Sequence, residues 1–179
     1  IHAAGLCHSD LSVINGSRPR PMPMALGHEA AGEIIELGEG VSDFEVGDHV
    51  VCTFIPSCGK CIPCREGRPA LCENGAASNE KGEMIEGGFR LSKEKDVIHH
   101  HLGVSGFSEY AVVSENSIVK IDPEIPYERA AVFGCAVITG IGAVINTAQI
   151  RPGSNVAVVG LGGIGLNAII GARLAGANE

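Results

Sequence analysis

Four cysteines fall within one short segment, Cys58, Cys61, Cys64 and Cys72, with the spacing Cys-x2-Cys-x2-Cys-x7-Cys. Two-residue gaps let a chain wrap one ion with successive sulfurs, and Gly59 and Pro63 supply the tight turns that wrapping needs. The chemistry predicted is a closed four-thiolate zinc site, with Zn–S bonds of roughly 2.3 Å, which holds structure and leaves no position open for a reactant. Disulfides suit a small secreted domain better than a chain with seven cysteines and no recognisable signal peptide. A bacterial ferredoxin cluster closes with Cys-x3-Cys-Pro, whereas here an x7 gap precedes Cys72 and Glu73 follows it.

A second chemistry is carried by Gly160-Leu161-Gly162-Gly163-Ile164-Gly165. Alone this pattern is weak, but it lies between a Val-rich segment, expected as a short buried strand over 155–159, and an apolar helix expected to reach about Ala175. In a dinucleotide-binding turn Gly160 makes the tight turn and Gly162 admits the pyrophosphate. Gly165 lets helix and strand pack, and the helix N-terminus offers free N–H donors to the anion. The competing reading is a glycine cluster that only packs a helix. The acidic residue that selects the adenosine ribose, about 20 residues further on, would lie past Glu179, so NAD and NADP are not distinguished.

The elements that must position these groups are legible in outline. Residues 29–122 read as short strands and glycine turns, with strands expected at 32–37, 47–54, 107–113 and 117–121. The cysteine segment follows the second of these. Residues 74–95, rich in Gly, Glu and Lys, read as a long surface loop. Pro126 suits the first turn of a helix over 127–133, and a second helix is expected over 137–147. Arg151-Pro152-Gly153-Ser154 is a turn.

Apolar residues make up 45% of the 179, and because aromatics are few, small aliphatic residues and 25 glycines must build the core. The net charge of -8, with no basic cluster, argues against nucleic acid and an anionic membrane surface as partners. A small molecule is the expected partner. Residues 130–150 and 152–172 are uncharged and long enough to resemble membrane spans. Thr139, Asn146, Thr147 and Gln149 interrupt the first, Pro152 and Gly153 break the chain between them, and no Trp or Tyr flanks either, so both read as buried core elements. The chain starts at Ile1 without Met and stops directly after the last expected helix, which reads as a fragment.

Three further motifs complete the pattern: Cys7-His8-Ser9-Asp10, Gly27-His28-Glu29 and Gly134-Cys135. Each alone is ordinary, since lone cysteines and histidines are usually core or surface residues. In this order, flanking a four-cysteine loop, they resemble the zinc-dependent medium-chain alcohol dehydrogenases, and the resemblance covers essentially the whole chain. It implies a β-rich GroES-like catalytic domain over 1–126, truncated at its N-terminus, with a structural-zinc lobe at about 56–74. Connecting helices and the first strand, turn and helix of an α/β Rossmann nucleotide-binding domain would follow over 127–179, truncated at the C-terminus.

The resemblance also implies roles. Cys7, His28 and Cys135 would ligate a catalytic zinc and leave a fourth position open, the Cys2His set given for this family. Asp10 would accept a hydrogen bond from His28 and fix its tautomer, with Glu29 close behind the metal. Ser9 would take the alcohol's proton, His8 would contact the cofactor pyrophosphate, Thr139 and Ile164 would pack near the nicotinamide with Gly163 in the turn, and Phe54 would line the substrate pocket. Two Zn2+ per chain and NAD, with NADP not excluded, are the cofactors implied, acting on a small alcohol or aldehyde. A cytoplasmic homodimer or homotetramer is implied for the complete protein.

Cys135 points to the alcohol dehydrogenase branch, because polyol dehydrogenases resembling sorbitol dehydrogenase lack that ligand. Two departures stand out. Many members carry a His that ends the proton relay where this chain has Ser12. The glutathione-dependent formaldehyde branch, S-(hydroxymethyl)glutathione dehydrogenase, carries an Arg to bind the glutathione carboxylate where this chain has Ala76, which weighs against that alternative substrate. A non-catalytic zinc-binding structural module is the alternative from another class. Cys52 reads as a core residue, and His99-His100-His101, which could bind metal, follows the polar stretch and reads as a surface or pocket-rim run.

Overall fold

Short strands of small residues, paired across close backbones, build the first part of the chain. The computed structural model describes residues 1–178, which separate into two compact units, Ile1–Val132 and one that begins at Phe133.

The first unit holds seven strands among the described residues: β1 (Ala3–Gly5), β2 (Met24–Ala25), β3 (Glu29–Glu33), β4 (His49–Cys52), β5 (Leu91–Lys93), β6 (Asp96–His100) and β7 (Ile118–Lys120). One sheet runs β1-β3-β4-β7, every neighbour antiparallel. A smaller sheet runs β2-β6-β5, in which β2 and β6 are parallel. Ala30, Cys52 and Val104 form one buried cluster, and Ala31 of β3 packs with Ala130 and Ala131 in another. Burial of such small groups stabilises little per residue, so the strands must approach closely.

Among the described residues this unit also holds four α-helices, α1 (His8–Ile14), α2 (Ile62–Arg65), α3 (Glu73–Lys81) and α4 (Tyr127–Ala130), and two 3-10 turns, Pro69–Leu71 and Glu115–Ser117. In the second unit a π-helical turn, Phe133–Val137, leads into α5 (Ile138–Gly142) and a second π-helical turn, Ala143–Ala148. These pack against α6 (Gly163–Leu174) through glycines. A Cβ on Gly140 would lie 2.5 Å from the Ile164 carbonyl oxygen, and one on Gly171 3.0 Å from Ile141 Cα. Helical turns succeed one another from Tyr127 to Ala148, 22 residues with mean hydropathy 1.8, long and apolar enough by composition to cross a membrane. Core helices pass the same test; here its second-unit portion packs on α6, yet only about a third of the stretch is buried, and Ile138, Ile145, Ile164 and Ile169 are exposed, so residues 130–150 and 152–172 are not the fully buried elements expected.

Four further sequence-based expectations are corrected. Residues 74–95 are not a continuous loop: α3 occupies Glu73–Lys81 and β5 Leu91–Lys93. The helix carries its own capping signals, with the Cys72 sulfur accepting from the Gly75 N–H, Glu73 in the first turn, Lys81 in the last, and Gly82 closing it at φ 69°. Residues 107–113 form no strand: the Phe107 N–H bonds to the Leu26 carbonyl and the Glu109 carbonyl accepts from the Ile1 amine, but no ladder follows among the described residues, and Phe107, Tyr110 and Val112 stay exposed. Residues 155–159 are neither paired nor buried, and Val159 is fully exposed. A strand exists through its ladder partners, and none is paired with this segment among the described residues. His100 and His101 are buried rather than on the surface: His100 ends β6 paired with Ala25 of β2, and His101 follows it.

Candidate functional site

Asp10 organises the first cluster. It is fully buried at the third position of α1, and its Oδ2 accepts the Cys7 N–H at 3.1 Å, closing the helix start. The segment Cys7-His8-Ser9-Asp10 is thus a capping sequence with Cys where Ser or Thr is usual, which is the signal that α1 would begin here. Oδ1 accepts the Gly27 N–H at 3.1 Å and lies 3.3 Å from His28 Nδ1. One carboxylate therefore ties the helix bearing Cys7 to the loop bearing His28.

Burial alone would raise the Asp10 carboxyl, but the imidazoles of His101 and His28 and the Cys7 N–H outweigh it and hold the group well below the usual carboxylate range. An ionised carboxylate only accepts hydrogen bonds, so His28 must carry its proton on Nδ1. In the neutral ring that leaves the lone pair on Nε2, which is buried and has no hydrogen-bond partner among the described residues. A buried, unpaired ring nitrogen is costly unless a ligand completes it.

Ligand atoms of Cys7, His28 and Glu29 lie within 4.8 Å of one another. Glu29 opens β3, only 4% exposed, opposite Gly5 of β1. A Cβ on Gly5 would stand 2.3 Å from Glu29 Oε2, so the absence of a side chain there makes room for the carboxylate. Sulfur, imidazole and carboxylate donors at this spacing suit Zn2+. Phe54 stands edge-on to the His28 ring, centroids 6.4 Å apart. His8 is exposed on the first turn of α1, Ser9 is half-buried beside it, and the Ser12 hydroxyl donates to the His8 carbonyl at 3.0 Å.

The four lobe cysteines also converge, their sulfurs within 4.8 Å of one another. The Cys58 and Gly75 N–H groups donate to Cys72 Sγ at 3.3 Å, and Cys58 Sγ accepts from the Cys61 N–H at 3.4 Å and from Asn74 Nδ2 at 3.2 Å. Backbone N–H groups of Lys60 and Cys61, with Asn74, lower the Cys58 thiol to about 6, whereas desolvation raises Cys64 to about 12. A donor shell already turned toward the sulfurs is what four thiolates on one ion require. Cys52 is buried in β4 and its thiol is pushed up to about 12 by burial, a core residue.

In the second unit, Cys135 is buried on the Phe133–Val137 turn and Thr139 lies half-buried on α5. Gly160 has φ 102°, a backbone open to glycine and few others. A Cβ on Gly165 would lie 1.9 Å from the Gly160 carbonyl oxygen, whereas one on Gly162 would meet nothing within 4 Å. Gly162 caps α6, Gly163 begins it, and Ile164 is about half exposed in its first turn. The turn thus closes on itself through Gly160 and Gly165 and leaves its Gly162 backbone open, the cradle that a pyrophosphate at a helix N-terminus needs.

His101 was not among the residues singled out for the site, yet it reaches Asp10: its Nδ1 lies 3.2 Å from Oδ1. Its sequence signal is its place at the end of the run His99-His100-His101.

Residues 1–123 match the model of the alcohol dehydrogenase GroES-like domain. The chain belongs to the zinc-dependent medium-chain alcohol dehydrogenase family. It is 48% identical over 176 residues to S-(hydroxymethyl)glutathione dehydrogenase of Synechocystis sp., covering 98% of this chain and 48% of that protein. It is 46% identical over 178 residues to alcohol dehydrogenase B of Mycobacterium tuberculosis, covering 99% of this chain and 48% of that one. Among solved structures it resembles benzyl alcohol dehydrogenase from Acinetobacter calcoaceticus, with TM-score 0.88 and 36% identity over 99% of this chain and 48% of the other. The chain spans about half the length of the curated relatives it matches. The family's architecture is the one expected, a β-rich GroES-like domain followed by the start of a Rossmann domain.

Proposed function

We propose that the complete protein is a zinc-dependent, NAD(P)-linked alcohol dehydrogenase interconverting small alcohols with aldehydes or ketones. The observations that carry this reading are the convergence of ligand atoms of Cys7, His28 and Glu29 and a buried His28 Nε2 without a hydrogen-bond partner among the described residues. By the family pattern Cys135 is the third protein ligand, and Cys58, Cys61, Cys64 and Cys72 hold a second, structural zinc.

When bound, the catalytic zinc supplies Lewis-acid polarisation of an alcohol oxygen, and the nicotinamide supplies a hydride acceptor. The chain's own residues do the rest. Asp10 holds His28 in the tautomer that offers Nε2. Ser9 accepts the alcohol's proton, and the Ser12 hydroxyl, which donates to His8, keeps lone pairs with which to accept in turn. Phe54 walls the pocket against the His28 ring. In this reading Gly160, Gly162, Gly163 and Gly165 cradle the pyrophosphate, His8 is a further pyrophosphate contact, and Thr139 and Ile164 pack near the nicotinamide.

The protein would be a cytoplasmic homodimer or homotetramer without nucleic-acid or membrane partners. A second reading keeps the chemistry and changes the substrate to S-(hydroxymethyl)glutathione, favoured by the 48% identity to the Synechocystis sp. protein. Ala76, exposed in α3, offers no cation for the glutathione carboxylate. A panel of primary alcohols and the formaldehyde–glutathione adduct, each with NAD and NADP, tests both. Turnover of free alcohols above the adduct supports the proposal, the reverse preference supports the second reading, and no turnover of either contradicts both.

A further inference from the structure

Parallel pairing of β2 with β6 sets Met24 opposite His99 and Ala25 opposite His100. Continuing the two chains brings Gly27-His28 alongside His101. The turn after His101 then folds back, with left-handed backbone at Leu102 and Ser105, and bonds the Gly106 and Phe107 N–H groups to the Gly27 and Leu26 carbonyls at 2.9 and 3.0 Å. Ser105 Oγ accepts the His101 N–H at 3.0 Å. The backbone at His101 is thereby fixed from both sides, and its imidazole is 1% exposed, edge-on to the His28 ring with centroids 5.3 Å apart.

Its Nδ1 lies 3.2 Å from Asp10 Oδ1, the oxygen that also serves His28 Nδ1 at 3.3 Å and the Gly27 N–H at 3.1 Å. The approach is short but off the hydrogen-bond line, and both His101 ring nitrogens lack a hydrogen-bond partner among the described residues. The contact is therefore an electrostatic one to the carboxylate. A ring that merely filled space here would need no nitrogen, and burying one without use is unfavourable.

We propose that His101 is a positioning residue for the metal site, its Nδ1 edge keeping the Asp10 carboxylate turned toward His28 and so presetting His28 Nε2. This rests on the reading of His28 as a zinc ligand. A carboxylate free to turn would still hydrogen-bond to Cys7 but would release the His28 ring, so loss of His101 should weaken the metal rather than the fold.

The test is the zinc dissociation constant of the catalytic site, by chelator competition on the zinc-loaded full-length protein, with the four-cysteine zinc as internal standard. Cobalt substitution reports the coordination geometry through its d–d bands. His101→Asn puts an amide nitrogen near the Nδ1 position, His101→Gln puts it near Nε2, and His101→Phe fills the space without nitrogen. The result expected is affinity within about threefold of wild type for His101→Asn, and roughly tenfold weaker binding with shifted cobalt bands for His101→Gln and His101→Phe. Equal affinities for the Asn and Gln variants overturn the proposal, and their similar size and polarity keep the comparison valid even where the Phe variant fails to fold. A wild-type protein that binds zinc only at the four-cysteine lobe overturns the zinc reading of His28 and this inference with it.

Discussion

Gly5 and Glu29 face each other across the β1–β3 pair, and the space a methyl group would occupy at Gly5 is taken by the Glu29 carboxylate. Gly5→Ala must swing that carboxylate away. Since the end of a flexible side chain can move, the stability loss should be modest, about 1 kcal/mol. The informative quantity is the coupling: a double-mutant cycle with Glu29→Ala should give at least about 0.5 kcal/mol of interaction, whereas additive effects would mean the two side-chain positions are independent.

Gly162 and Gly165 separate the two readings of the glycine turn. At Gly165 a Cβ would run into the Gly160 backbone, so Gly165→Ala should destabilise the protein by about 1–3 kcal/mol in thermal unfolding. At Gly162 the space is open, so Gly162→Ala should leave stability within about 0.5 kcal/mol yet weaken dinucleotide binding roughly tenfold, about 1.4 kcal/mol. Unchanged dinucleotide affinity in Gly162→Ala would reduce the turn to helix packing.

Acid sensitivity should trace to Asp10. Its carboxyl is held well below the ordinary range in the folded protein, so the stability it contributes is present above the unfolded value of about 3.9 and is lost as pH falls below it. Urea unfolding followed from about pH 7 down to pH 3 should lose stability in wild type over that interval and be flatter in Asp10→Asn. Parallel curves for the two proteins would assign the acid sensitivity elsewhere.

Much of this was legible from residue types and spacing. The lobe cysteines announce themselves because two-residue gaps bring sulfurs together locally, and the structure gathers all four. Strands at 47–54 and 117–121 were placed near β4 and β7, since Val- and Ile-rich runs bounded by turns pair wherever a neighbour exists. What failed depended on partners far away in sequence. The segment 155–159 has strand composition without a ladder, α3 hides in a polar stretch whose capping signals outweigh its low hydrophobicity, and His101 becomes a site residue only through the parallel β2–β6 pair. Cys7 as a helix cap was readable, had Cys been allowed the place of Ser in the capping pattern.

Substitution in the cysteine lobe should act on folding rather than chemistry. Cys61→Ser removes one of four converging sulfurs and should lower stability by upwards of about 3 kcal/mol, read as an earlier unfolding midpoint. A midpoint equal to wild type would mean the lobe carries no structural metal.

The central claim is that the chain carries two distinct zinc sites, one built on Cys7 and His28 and one on the four-cysteine lobe. The most direct measurement is zinc per chain by elemental analysis of the purified protein beside Cys7→Ser. The account predicts about two zinc ions in wild type and about one in the variant, with the lobe still loaded. A single zinc in both proteins would contradict it.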